Sequence, residues 1–152
     1  MRRFLLTPIL LFLAMHGYSQ GVIPEILPIR IQIETRLVAM DQKVDWSNVV
    51  DQRTLNGKPV IVRIDGDNFR LRVTFTSYYQ DGISALLIAQ TEVFHGDEEK
   101  SGWDKSLLSQ VVKLGVPLYF YPLGKERRSE EGHSMVMEIL LTKETGQEGS
   151  SQ

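Results

Sequence analysis

Residues 69–76 read Phe-Arg-Leu-Arg-Val-Thr-Phe-Thr, and this stretch decides the fold. Phe69, Leu71, Val73 and Phe75 alternate with Arg70, Arg72, Thr74 and Thr76. In an extended chain successive side chains project to opposite faces, so the four apolar residues share one face and the four polar residues the other. A helix would scatter the same residues around its circumference. The pattern is that of a half-buried strand.

The flanking sequence turns this strand into a meander. Val60 to Ile64 precedes it across Asp65-Gly66-Asp67-Asn68, and Gln80-Asp81-Gly82 follows it, both turn-forming strings. The first string reads as a turn rather than a calcium loop, because Phe69 stands at an oxygen-ligand position and Thr76 where such a loop needs its glutamate. Ala85 to Phe94 comes next, apolar on both faces at its start, which predicts a central strand.

The alternation recurs further out. Ile29, Ile31 and Ile33 alternate with Arg30, Gln32 and Glu34, and Ser134 to Thr142 forms the last strand. Val116 to Tyr121 predicts an aromatic-rich strand, with Val116, Leu118 and Phe120 inward and Tyr119 and Tyr121 outward. Asn56-Gly57 marks a turn. Residues 41–58 otherwise read as irregular, with Asp45 or Ser47 able to cap a short helical turn carrying Val49 and Val50. His95 to Gly102 reads as a polar loop. In residues 104–114 the spacing of Leu107, Leu108, Val111 and Val112 fits a helix or a strand; the neighbouring strands favour the latter.

Six or seven strands at short spacing in one domain predict an all-β fold, an antiparallel β-sandwich immunoglobulin-like in architecture. The cysteine–tryptophan–cysteine signature of antibody domains is absent, since the chain has no cysteine. A small up-and-down β-barrel is the alternative.

The termini predict export. Arg2 and Arg3 precede an apolar run from Phe4 to Met15, and Gly17-Tyr18-Ser19 offers a cleavage site, so residues 1–19 read as a secretory signal peptide. Residues 20–28 form a proline-broken extended lead-in, 29–142 the β-domain and 143–152 a disordered tail. Removing 19 of 152 residues leaves 133, enough for one core. The signal holds two of the 17 Lys+Arg residues and none of the 19 Asp+Glu, so cleavage takes the net charge from −2 to −4. That balance disfavours nucleic acid. The lack of cysteine excludes disulfides, thiol chemistry and lipoprotein acylation, and together with Arg2-Arg3 fits a bacterial envelope, periplasmic or extracellular protein with no transmembrane segment after cleavage.

No motif for chemistry stands out. His95 lies beside Asp97, Glu98 and Glu99 but lacks a second histidine at metal-ligand spacing, and His133 reads as a strand-entry residue. There is no Gly-x-Ser-x-Gly elbow and no Ser-x-x-Lys, so no catalytic residue, metal or cofactor is assigned and a non-enzyme is expected. The aromatic residues are the stronger signal: Tyr78, Tyr79, Trp103, Tyr119 and Tyr121 are candidates for one binding patch. The expected function is a protein-interaction or structural domain whose partner is another envelope or secreted protein, with Ile29–Ala39 and Ser134–Thr142 as the edges open to an added strand. A barrel carrying a small apolar ligand is the alternative, and a hydrolase a more distant one.

Overall fold

A computed structural model describes residues 28–66, 69–97, 100–125 and 133–144. The described chain forms eight strands: β1 (Pro28–Val38), β2 (Val44–Leu55), β3 (Pro59–Asp65), β4 (Phe69–Tyr79), β5 (Ser84–Asp97), β6 (Lys100–Lys113), β7 (Leu118–Phe120) and β8 (Ser134–Lys143). All pairing is antiparallel, in two four-stranded sheets ordered β2-β1-β8-β7 and β3-β4-β5-β6. The fold is a β-sandwich. No ladder joins the sheets, so the closed barrel that the ligand-carrier alternative needs is not formed among the described residues. The strands divide as 1, 2, 7 and 8 against 3, 4, 5 and 6. An immunoglobulin domain instead sets strands A, B, E and D against C, F and G, so the likeness stops at two packed sheets.

The period-two residues build the core. Ile29, Ile31 and Ile33 of β1, Leu71, Val73 and Phe75 of β4, and Met137, Ile139 and Leu141 of β8 are all buried. Ala85 and Ala89 on the inner face of β5 are small, and Ala89 lies opposite Phe75. Large beside small lets the layers interdigitate at the density of a solid. Phe75 meets Phe120 of the other sheet edge-on, with ring centroids 5.9 Å apart at 82°. The chain changes sheet at Leu55–Pro59 and again between Lys113 and Leu118. At the first crossing the Gly57 N–H donates to Ser77 O (2.8 Å) and the Tyr79 N–H to Asn56 Oδ1 (2.7 Å), which ties the turn to the end of β4.

Four expectations need correction. Residues 44–55, read as irregular, are a 12-residue strand. Almost every β2 residue is exposed whichever face it occupies, so selection for an apolar face leaves no alternation to read. His95 to Gly102 is not a loop: β5 and β6 pair in register from Ser84↔Lys113 to Asp97↔Lys100, and only 98–99 lie between them. Val116 is not an inward strand residue but sits exposed in the turn before β7, although Leu118 and Phe120 do pack on the core. Finally, the first and last strands are not edges. β1 and β8 pair with each other at the centre of their sheet, and β2, β7, β3 and β6 are the edges. Residues 104–114 are in strand conformation as far as Lys113. The signal segment, residues 20–27 of the lead-in and residues 145–152 of the tail lie outside the described residues. Among the described residues no helix is long and apolar enough to cross a membrane.

On the outer face of the first sheet Glu34 and Glu138 stand directly opposite each other across β1 and β8. Like charges so placed repel. Arg36 reconciles them: it binds Glu34 through two bonds of 2.8 and 2.7 Å and reaches Glu138 at 3.0 Å. Its hydrogen bonds to Glu34 hold that carboxyl below its ordinary value of 4.5. Arg36→Ala is therefore expected to lower unfolding stability at neutral pH by about 1 kcal/mol, modest because the groups are partly solvated. A depressed carboxylate pKa stabilises the fold above the unfolded value and loses that effect as pH falls. The gap between wild type and variant should thus close below pH 4.5 in chemical denaturation series. A gap independent of pH would contradict the ion-pair account.

Candidate functional site

Residues opposite one another in antiparallel strands project to the same side, so the outer face of the second sheet is organised in cross-strand rows. One row is Asp65, Arg70, Phe94 and Trp103; the next is Arg63, Arg72, Glu92 and Lys105; the next is Ile61, Thr74, Gln90 and Leu107. In the first, the Arg70 guanidinium lies 5.8 Å from the Phe94 ring centre, and Phe94 packs on Trp103 at 5.3 Å. In the second, Glu92 lies between Lys105 (3.1 Å) and Arg72 (3.2 Å). The bond to Lys105 above all, with Arg72 behind it, holds the Glu92 carboxyl below its usual range. A shallow concavity of about 500 Å³ runs along these rows from Ile61 to Leu107. Glu92 is the one carboxylate on its wall, shared by Arg72 and Lys105, and Arg63 adds a third cation, so the concavity is net basic.

This face ends at β6, the most open edge among the described residues. β3 begins at a proline and has seven residues, β7 has three, and β2, 12 residues long, is shifted only at its start, opposite Leu37/Val38, but carries Asp51 and Arg53 along its length. Each is a recognised way of blunting an edge. β6 has 14 residues, no proline and an unbroken register with β5. Its outward side chains include Trp103 (47 % exposed), Leu107 (67 %) and Val111 (55 %), and its other face carries Leu108 (41 %). Asp104 and Lys105 are charged but Ser106 to Val112 is not, and a long, regular edge with such an uncharged stretch is a template for another strand.

The five aromatic candidates do not form one surface. Tyr78 and Trp103 share the outer face of the second sheet but lie at opposite ends, since Tyr78 belongs to the row of Leu86 and Val111. Tyr119 lies opposite Glu138 on the first sheet, on the other side of the sandwich. Tyr121 follows β7 half-buried. Tyr79 packs against the core with its hydroxyl buried, and burial pushes its ionisation up. Of the five, only Trp103 lies on the open edge. Leu107, Leu108 and Val111 were not among the candidates. Their helix-compatible spacing was the available signal, and it is resolved here as an edge strand with apolar residues on both faces.

His133 Nε2 lies 2.7 Å from Asp45 Oδ2, joining the start of β8 to the start of β2. His95 falls in register opposite Phe69 and Gly102. Among the described residues no three histidine, cysteine or acidic side chains converge as metal ligands do. In comparisons with known proteins, no family model, no curated protein and no solved structure matches this chain.

Proposed function

We propose that the protein is an exported, non-enzymatic interaction domain of the bacterial envelope, which holds its partner by adding a strand along β6. The observation that carries this reading is the contrast among the edges: β3 and β7 are short, β2 is shifted at its start and charged at Asp51 and Arg53, and β6 is long and regular with an uncharged stretch from Ser106 to Val112. Main-chain donors and acceptors on the free side of β6 supply affinity, and alternating side chains supply selectivity. The basic residues at the start of the chain and the apolar run after them support export.

Native mass spectrometry of the processed protein, released gently from its source cells, tests the reading. Added polypeptide mass is expected on the wild type and not on Leu108→Lys, which places a charge on an already exposed edge position. A wild type that travels as a bare monomer, or a complex indifferent to the substitution, would overturn the assignment.

A further inference from the structure

We infer that the strand added at β6 is the β6 of a second copy, paired antiparallel about a two-fold axis through Leu107. The inference rests on the reading of β6 as the binding edge and names its partner. A two-fold axis normal to the sheet must lie level with a residue, midway between its two copies, because only then do side chains on one face meet side chains on the same face.

The sequence of β6 separates the possible centres. With Leu107 on the axis, Leu107 meets itself, Trp103 meets Val111 of the second copy, and Lys105 meets Ser109. The three exposed apolar residues of the outer face thus all find apolar partners across the seam. On the other face Asp104 meets Gln110 and Ser106 meets Leu108, and no two like charges are opposed. Neighbouring centres do worse. Moving the axis to Ser106 sets Lys105 against Leu107 and Asp104 against Leu108; moving it to Leu108 sets Trp103 against Lys113. Centring on Lys105 opposes that lysine to itself, and centring on Ser109 opposes Lys105 to Lys113. Charge and apolar matching therefore select Leu107. Pairing there joins two four-stranded sheets into one, and the strip from Phe94 and Trp103 continues across the junction.

The absence of native cysteine makes the register directly testable. Leu107→Cys in the full chain, purified after processing and oxidised mildly, is expected to give a disulfide-linked dimer, because self-opposed positions bring their Cβ atoms to about 5 Å. Ser109→Cys should not crosslink, its copies being about four residues apart along the strands, or about 13 Å. Sedimentation of the unmodified protein should show a dimer whose dissociation constant rises at least about tenfold in Leu107→Lys and stays unchanged in Ile61→Lys on the opposite edge. A monomer at high micromolar concentration without crosslinking, or equal crosslinking at both positions, overturns the pairing. The two readings fail separately. If the second copy is refuted while native complexes with another polypeptide are still lost in Leu108→Lys, β6 remains the binding edge; if no such complex exists either, both fall.

Discussion

Phe75→Ala is expected to cost about 4 kcal/mol of unfolding free energy, lowering the melting temperature by roughly 15 °C. Phe75 is 1 % exposed, at the middle of β4, between Val60 of β3 and Ala89 of β5. Alanine beside alanine leaves a void that neither neighbour can fill, and the loss includes the edge-on contact with Phe120. Phe120 lies in β7, only three residues long, which is seated by this contact together with the packing of Leu118 and its pairing with β8. Phe75→Leu should recover most of the loss, because it restores volume without the ring. Chemical denaturation of the three proteins checks this. A cost under 1 kcal/mol for alanine would mean that the sheets pack less closely than described.

The second large effect lies at the crossing from the first sheet to the second. Gly57 has φ 75°, in the left-handed region, and a Cβ there would come within 3.1 Å of Tyr78 Cε1. An L-residue in this conformation costs about 1–2 kcal/mol before any contact is counted. The Tyr78 ring must then yield by a few tenths of an ångström, while the bonds from Gly57 N–H to Ser77 O and from Tyr79 N–H to Asn56 Oδ1 fix the backbone on either side of it. Gly57→Ala is therefore expected to cost about 2 kcal/mol or somewhat more. Gly82 supplies the control, with φ 74° and open space around its Cβ position. Gly82→Ala should cost only that conformational part, about 1–2 kcal/mol, and less than Gly57→Ala. Equal losses in equilibrium unfolding would show that the ring contact contributes nothing.

What could be read from the chain followed from contrast between faces. β1, β4 and β8 each have one buried and one wet side, so Ile29-Arg30-Ile31 or Phe69-Arg70-Leu71 announces a strand and its inward residues together. β5 is apolar on both faces at its start and lies between two partners, as such a run predicts. β2 and β6 carry no such contrast, because both of their faces meet solvent over most of their length. One was read as irregular and the other as ambiguous for this single reason. Strand order was not legible at all. The pairing of β1 with β8 joins residues 96 to 114 positions apart, from Val38 and Ser134 to Ile29 and Lys143, and nothing in either segment names the other. That blindness misplaced the edges and set Tyr119 beside Trp103 in expectation, although the crossing after β6 carries Tyr119 to the opposite side of the molecule.

Residue-resolved amide hydrogen exchange on the natively isolated protein tests the central claim most directly. In an unpaired edge strand alternate amides point to solvent and exchange fast, while the others are held by the neighbouring strand. If β6 pairs with another strand, every amide from Trp103 to Val111 will be slow, and the protection of alternate positions will vanish in Leu108→Lys. Fast exchange at every second β6 amide, matching the open side of β3, would contradict the account.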